Sequence, residues 1–225
     1  MTPPSLARQL VSEGLGTAFL LAVVIGSGIM GERLAGGNLA LALLANTLAT
    51  GAGLVALILT FGAVSGAHLN PAVTLSAAAQ GALPWRKAVG YIVAQVAGAF
   101  LGVAAAHVMF SEPLFSASTH SRAGSGQLAG EFIATFGLLA TIWGSARTRP
   151  TAVPFAVGSY ITAAYWFTSS TSFANPAVTL ARAASNTFAG IRPIDVPGFM
   201  VAQLLGAAAA TALFSWLVPR REVAA

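Results

Sequence analysis

Long apolar runs, broken by short polar or Gly- and Pro-containing segments, set the pattern of this chain. Runs at roughly residues 10–30, 38–61, 85–110, 127–146, 153–169 and 196–218 are each long enough to cross about 30 Å of hydrocarbon as a helix. The pattern predicts six membrane spans. Between the second and third spans, and again between the fifth and sixth, stands the same string, Asn-Pro-Ala-Val-Thr-Leu, at residues 70–75 and 175–180. Each copy is followed by only about ten helix-compatible residues, too few to cross. A capping Asn with Pro just inside marks a helix start. A helix that starts at mid-membrane leaves backbone N–H groups that lipid cannot satisfy, so they must face protein or a water-filled cavity. Both segments are therefore predicted to be re-entrant half-helices beside a permeation or binding site.

Composition agrees with this reading and narrows it. Of 225 residues, 56% are hydrophobic and 8% charged, and the mean hydropathy of +0.78 excludes an ordinary soluble domain. The first span lacks a basic leader and a small-residue cleavage site and carries Glu13 in its apolar run, so it is expected to stay in the mature protein. With no Cys, there is neither a disulfide framework nor a thiolate metal site. The net charge of +5 would suit nucleic acid, but the basic residues form no run and sit at span ends. They read as topology determinants. With the N-terminus in the cytoplasm, Arg8, Arg86, Lys87, Arg147, Arg149, Arg220 and Arg221 fall inside and Arg33, Arg122, Arg182 and Arg192 outside. That asymmetry predicts a multi-pass cell-membrane protein with both termini cytoplasmic.

The two halves repeat one another. Glu13-x-x-x-Thr17 matches Glu131-x-x-x-Thr135, the two Asn-Pro-Ala segments match, and Ala94-Gln95-x-x-Gly98-Ala99 matches Ala202-Gln203-x-x-Gly206-Ala207. Residues 1–225 thus read as a single membrane channel domain, with residues 1–115 and 116–225 as first and second repeats. A three-span unit is odd, so its second copy enters the membrane from the opposite side. The half-helices then meet N-terminus to N-terminus, each presenting about half a positive elementary charge. Asn70 and Asn175 can cap and still donate N–H to a passing oxygen, because an amide has one acceptor and two donors. Such a crossing point passes neutral hydrogen-bonding solutes and repels cations.

Ser65-Gly66-Ala67-His68-Leu69-Asn70-Pro71-Ala72-Val73-Thr74, paired with Asn175-Pro176-Ala177, resembles the major intrinsic protein family, the aquaporins and aquaglyceroporins, over essentially the whole chain. The resemblance implies an all-α membrane protein of six tilted helices plus two half-helices around one pore per subunit, assembled as a homotetramer. It also implies that Glu13 and Glu131 accept hydrogen bonds from the irregular backbone leading into the half-helices, and that Gln95, Gln203 and His68 brace the same loops. An intramembrane carboxylate can otherwise serve proton coupling. Small residues such as Gly14, Gly16, Gly51, Gly53, Gly98, Gly102 and Gly206 allow close helix approach and belong to the scaffold. The Tyr165-Trp166-Phe167 run reads as an interfacial anchor in preference to a vestibule lining.

In the family, a constriction beside the Asn pair is built from four positions. Spacing from the two Asn residues places them at Thr50, Ala163, Ser172 and Val178. The family's usual motif has Arg directly after the second Asn-Pro-Ala, where this chain has Val178. Four small, uncharged residues imply a wider, less polar opening, with the half-helix dipoles as the main cation barrier. Expected cargo is water and larger neutral solutes: glycerol-like polyols, urea, and arsenite or other undissociated metalloid hydroxides. The Val-containing motif also resembles a bacterial subgroup linked with arsenical transport, extending to methylated arsenicals. Arg182 lies one helical turn beyond Val178, about 6 Å along the half-helix. It either steers dipolar solutes as a vestibule residue or is a helix-end cation contacting headgroups or a neighbouring carbonyl.

No nucleophile and base stand together, and His68, His107 and His120 are scattered, so an enzyme is not expected; nor is a cofactor or metal. The leading reading is a passive channel whose partners are small neutral solutes and the lipid bilayer. The alternative is a proton-coupled secondary transporter using Glu13 or Glu131. A non-conducting interaction protein is a third class, against which the short connections and tail argue.

Overall fold

The computed structural model describes residues 4–218; Arg220 and Arg221 of the charge reading lie outside them. Eight α-helices follow in order: α1 (Leu6–Leu34), α2 (Leu39–Ser65), α3 (Pro71–Ala79), α4 (Trp85–Phe110), α5 (Ser125–Thr148), α6 (Val153–Phe167), α7 (Pro176–Arg182) and α8 (Val196–Leu217). No strand occurs among the described residues. Where the apolar runs end, local chemistry ends the helices. Asn38 caps α2 by accepting from Leu41 N, and Gly66, at φ 88°, closes it in the left-handed region that glycine occupies without cost.

Five helices, α1, α2, α4, α5 and the α8 segment, are long and apolar enough to cross a membrane, making this an all-α, multi-pass membrane protein. The fifth predicted span is shorter than its apolar run. Helix α6 has 15 residues, about 22 Å of rise, and is preceded by a single 3-10 turn at Pro150–Ala152. The helix starts where the run starts, at Val153, with Pro154 in its first turn, and ends at Phe167 because Thr168 is extended (φ −104°, ψ 138°).

Helix contacts fall into a self-consistent scheme: α1 packs on α4 and α2, α5 on α8 and α6, α2 on α6, α4 on α7, α8 on α3, and the short helices α3 and α7 on each other. Exchanging α1 with α5, α2 with α6, α3 with α7 and α4 with α8 leaves this scheme unchanged. Apolar clusters form on both sides of the short helices. One is centred on Leu21, Ile25, Val103 and Ala181, the other on Leu139, Val157, Ile161 and Ala210.

Two glycines make close backbone approaches in equivalent places. A Cβ on Gly98 would fall within the van der Waals envelope of Gly14 O across α1 and α4, and a Cβ on Gly206 within that of Phe132 O across α5 and α8. Backbone cannot yield as a flexible side chain can. Gly98→Ala is expected to force α1 and α4 apart and cost about 1–3 kcal/mol, which thermal unfolding of the purified protein in detergent checks. An unchanged midpoint would show that the helix pair can separate freely.

Candidate functional site

The two Asn-Pro segments start the two short helices. Asn70 caps α3 by accepting from Ala72 N at 2.9 Å, with Pro71 in the first turn. Asn175 caps α7 by accepting from Ala177 N at 3.0 Å and Val178 N at 3.3 Å, with Pro176 in the first turn. Each amide then reaches across to the other loop: Asn70 Nδ2 donates to Ala174 O at 2.7 Å and Asn175 Nδ2 to Leu69 O at 2.8 Å. One N–H of each amide is left for a third partner. Both Asn side chains line the same cavity of about 270 Å³, several times the ~30 Å³ share of one water.

The loops leading into α3 and α7 share one unusual shape. Ala67 and Leu69 have φ of 46° and 50°, and Ser172 and Ala174, at the matching distances before Asn175, have 50° and 48°. Left-handed non-glycine residues cost on the order of 1–3 kcal/mol each and persist only where the surroundings hold them. Two buried carboxylates do so here. Glu13 accepts from His68 N at 2.9 Å, Leu69 N at 2.7 Å, Ser65 Oγ at 2.6 Å and Gln95 Nε2 at 2.8 Å. Glu131 accepts from Phe173 N at 2.8 Å, Ala174 N at 2.9 Å and Gln203 Nε2 at 2.5 Å. Gln95 and Gln203 each donate also to a threonine of the adjoining short helix, Thr74 at 2.9 Å and Thr179 at 2.8 Å. His68 Nδ1 lies 3.1 Å from Thr74 Oγ1, and His68 also lines the cavity.

Of the four positions assigned to the constriction, Thr50, Ser172 and Val178 line the cavity and are buried. Ala163 does not: it is exposed on the outer side of α6. The α6 residues that face the cavity are Val153, Val157, Ile161 and Tyr165, spaced four apart on one helical face. Position 163 lies about 200° around the helix from 161. Tyr165 is therefore not an interfacial anchor. It is 3% exposed, and its hydroxyl donates to Thr50 Oγ1 at 3.3 Å, while its neighbours Trp166 and Phe167 are the exposed pair. The stripe at 157, 161 and 165 is visible in the sequence; spacing counted back from Asn175 across an irregular loop conceals it. Ser172 Oγ is buried without a hydrogen-bond partner.

Arg182, expected either as a vestibule residue or as a helix-end cation against headgroups or a neighbouring carbonyl, is 2% exposed. Its guanidinium carbon lies 3.3 Å from the centroid of the Phe173 ring, its Nε donates to Ala189 O, and it lines the same cavity as Val178. The segment between α4 and α5 covers this end: Ser116 N and Ser118 N donate to Ala184 O and Ala183 O. From the same segment, Arg122 donates to Gly190 O at 2.8 Å and to Ser170 O and Thr171 Oγ1 at 3.3 Å. Burial, with the Arg122 charge second, holds the nearby His120 imidazole below its usual value. Nothing in the sequence marks Arg122, since its role depends on how a loop folds back. No group of His, Asp and Glu able to hold a metal exists among the described residues.

The family model described as major intrinsic protein matches residues 1–174 and 146–225. Aquaglyceroporin AqpS of Rhizobium meliloti (strain 1021) is 55% identical over 219 residues, 97% of this chain and 94% of that protein. Aquaglyceroporin-3 of Trypanosoma brucei brucei is 44% identical over 108 residues, 48% of this chain and 34% of that protein. The X-ray structure of the aquaglyceroporin from Plasmodium falciparum shares the fold, with a TM-score of 0.77 at 21% identity over 96% of this chain and 98% of that one.

Proposed function

The chain belongs to the major intrinsic protein family, and from that premise we propose that it is a passive channel for small neutral polar solutes of the water and glycerol class, with a filter widened by Val178. Members of the family are non-catalytic transport proteins. The observation that carries the reading is the pair of capped helix starts at Asn70 and Asn175, cross-bonded to each other's loops beside one cavity. Helix N-termini with a spare amide N–H favour solute oxygens over cations.

On this reading α3 and α7 are re-entrant half-helices, α6 with its preceding turn is the sixth span, and residues 1–115 and 116–225 are inverted repeats. The exchange symmetry of the helix contacts supports this arrangement. Both termini lie in the cytoplasm and four such subunits form the assembly, as the charge asymmetry and the family resemblance respectively suggest. Thr50, Ser172, Val178 and Tyr165 form the constriction, Tyr165 standing in the place that spacing gives to Ala163. A neutral, hydroxyl-rich wall of this kind accepts polyols, urea and undissociated metalloid hydroxides, including arsenite. The Rhizobium relative, whose length the chain nearly spans, is an aquaglyceroporin.

The proton-coupled alternative asks Glu13 or Glu131 to exchange protons. Both are committed as acceptors, of four and three hydrogen bonds, at the base of the loops, which favours a structural role. Reconstituted protein is expected to pass glycerol down its gradient at a rate unaffected by an imposed proton gradient or an uncoupler. Acceleration by an inward proton gradient would return the coupled reading.

A further inference from the structure

Replacing the usual filter arginine with Val178 leaves the constriction without a charge at that position. Arg182 is the only arginine or lysine, and no carboxylate is present, among the residues that line the cavity. Its position at the C-terminal end of α7 gives an ordinary reason for a cation there. It gives none for the burial. A buried guanidinium is costly unless its donors are used, and here only Nε has a protein acceptor, Ala189 O. No hydrogen bond from its Nη groups to protein is present among the described residues, and neither ion pair among them involves it. The group is held in place by stacking on Phe173, whose ring also lies 4.9 Å from the Arg122 guanidinium carbon. Asp195, the carboxylate that receives Arg122 N, is already paired with Arg192. Two guanidinium groups at this end of the cavity therefore act without a paired acid. A second, independent feature points to a ligand at the same place: Ser172 Oγ, beside Phe173 in the cavity wall, is buried and unpartnered.

We propose that Arg182 is the cation-excluding and solute-orienting residue of this pore, acting from one helical turn beyond Val178. Its free Nη groups donate to an oxygen of a neutral hydroxylated solute, and Ser172 Oγ takes a second hydroxyl. The spacing separates two duties. Width at position 178 admits the larger solute, while charge at position 182, in an apolar-walled cavity where fields are weakly screened, repels cations. Phe173 and the Ala189 carbonyl keep the guanidinium from swinging across the path.

The inference rests on the channel reading, and the test separates the two. Proteoliposomes carrying the full chain are assayed for glycerol flux by light scattering and for sodium and proton leak under a potential clamped with valinomycin and potassium, with empty liposomes as baseline. Arg182→Gln is expected to raise cation leak about tenfold or more and to lower glycerol flux several-fold, leaving it above that of empty liposomes. Adding Val178→Arg to Arg182→Gln is expected to suppress that leak, because a cation returns to the same cavity. An Arg182→Gln protein that passes glycerol but no more cation than the parent overturns the proposal, as does a leak that Val178→Arg leaves untouched. Should Arg182→Gln fail to reconstitute, Arg182→Met decides, since it keeps an adaptable side chain of similar length and removes only the charge and the donors. Leak then supports the proposal and its absence overturns it. A parent protein that passes neither glycerol nor water removes the channel reading itself, and the inference with it.

Discussion

Substituting Val178 by Arg is expected to cut glycerol permeation about tenfold to hundredfold while leaving most water permeation in place. Val178 is 5% exposed and lines the cavity with Thr50, Ser172 and Tyr165. Its backbone N–H is already fixed by the Asn175 cap, so a longer side chain there must extend toward the cavity. A polyol passing a narrowed point loses hydration around its whole girth and recovers only part of it from fixed donors. A hydroxyl left imperfectly paired costs about 1–3 kcal/mol, and each ~1.36 kcal/mol is tenfold in rate. Water, smaller and able to bond the new guanidinium, escapes most of this. The introduced guanidinium would also stand four residues from Arg182, where like charges repel, raising the cation barrier further. Stopped-flow light scattering on both proteins checks the ratio of glycerol to water permeability. An unchanged ratio would place the constriction elsewhere.

The second large effect is on stability. Glu131→Ala removes the acceptor of Phe173 N, Ala174 N and Gln203 Nε2 at once. Each orphaned buried donor costs about 1–3 kcal/mol, and inside a membrane no water is at hand to relieve it. A loss of about 3–6 kcal/mol follows, enough to abolish most folded protein. The left-handed residues Ser172 and Ala174 lose their restraint at the same time. Glu131→Gln, which keeps one carbonyl acceptor, is expected to fall between. Size-exclusion profiles and thermal unfolding in detergent measure the order. If Glu131→Ala unfolded at the parent's temperature, the carboxylate would not be what holds the loop.

Much of this architecture is legible in the sequence because its determinants are local or repeated. The two Asn-Pro-Ala strings announce helix starts through capping and fixed φ, whatever surrounds them. The Glu and Gln spacings recur in both halves, so each half checks the other. What is not legible depends on rotation and on loops. Counting from Asn175 to reach Ala163 crosses residues 168–174, a stretch whose left-handed turns do not advance the chain as a helix does. An error of two residues turns the side chain by about 200°, exchanging Tyr165 for an outward-facing alanine. A half-helix pattern leaves Arg182 open between a vestibule and a helix-end carbonyl because it says nothing of what folds over that end. The segment between α4 and α5, which bonds Ala183, Ala184 and Gly190, closes it. The fifth span falls short of its apolar run at the C-terminal end, where Thr168 takes extended backbone and closes α6 although hydropathy alone continues.

On the proposed function this chain forms a passive path for neutral solutes larger than water. The most direct measurement exposes proteoliposomes of the parent protein to a glycerol gradient and follows light scattering. A passive path gives rapid shrinkage followed by reswelling much faster than in protein-free vesicles, at a rate proportional to the gradient. Rapid shrinkage with reswelling only at the protein-free rate would contradict it, leaving a pore that passes water and excludes glycerol despite Val178.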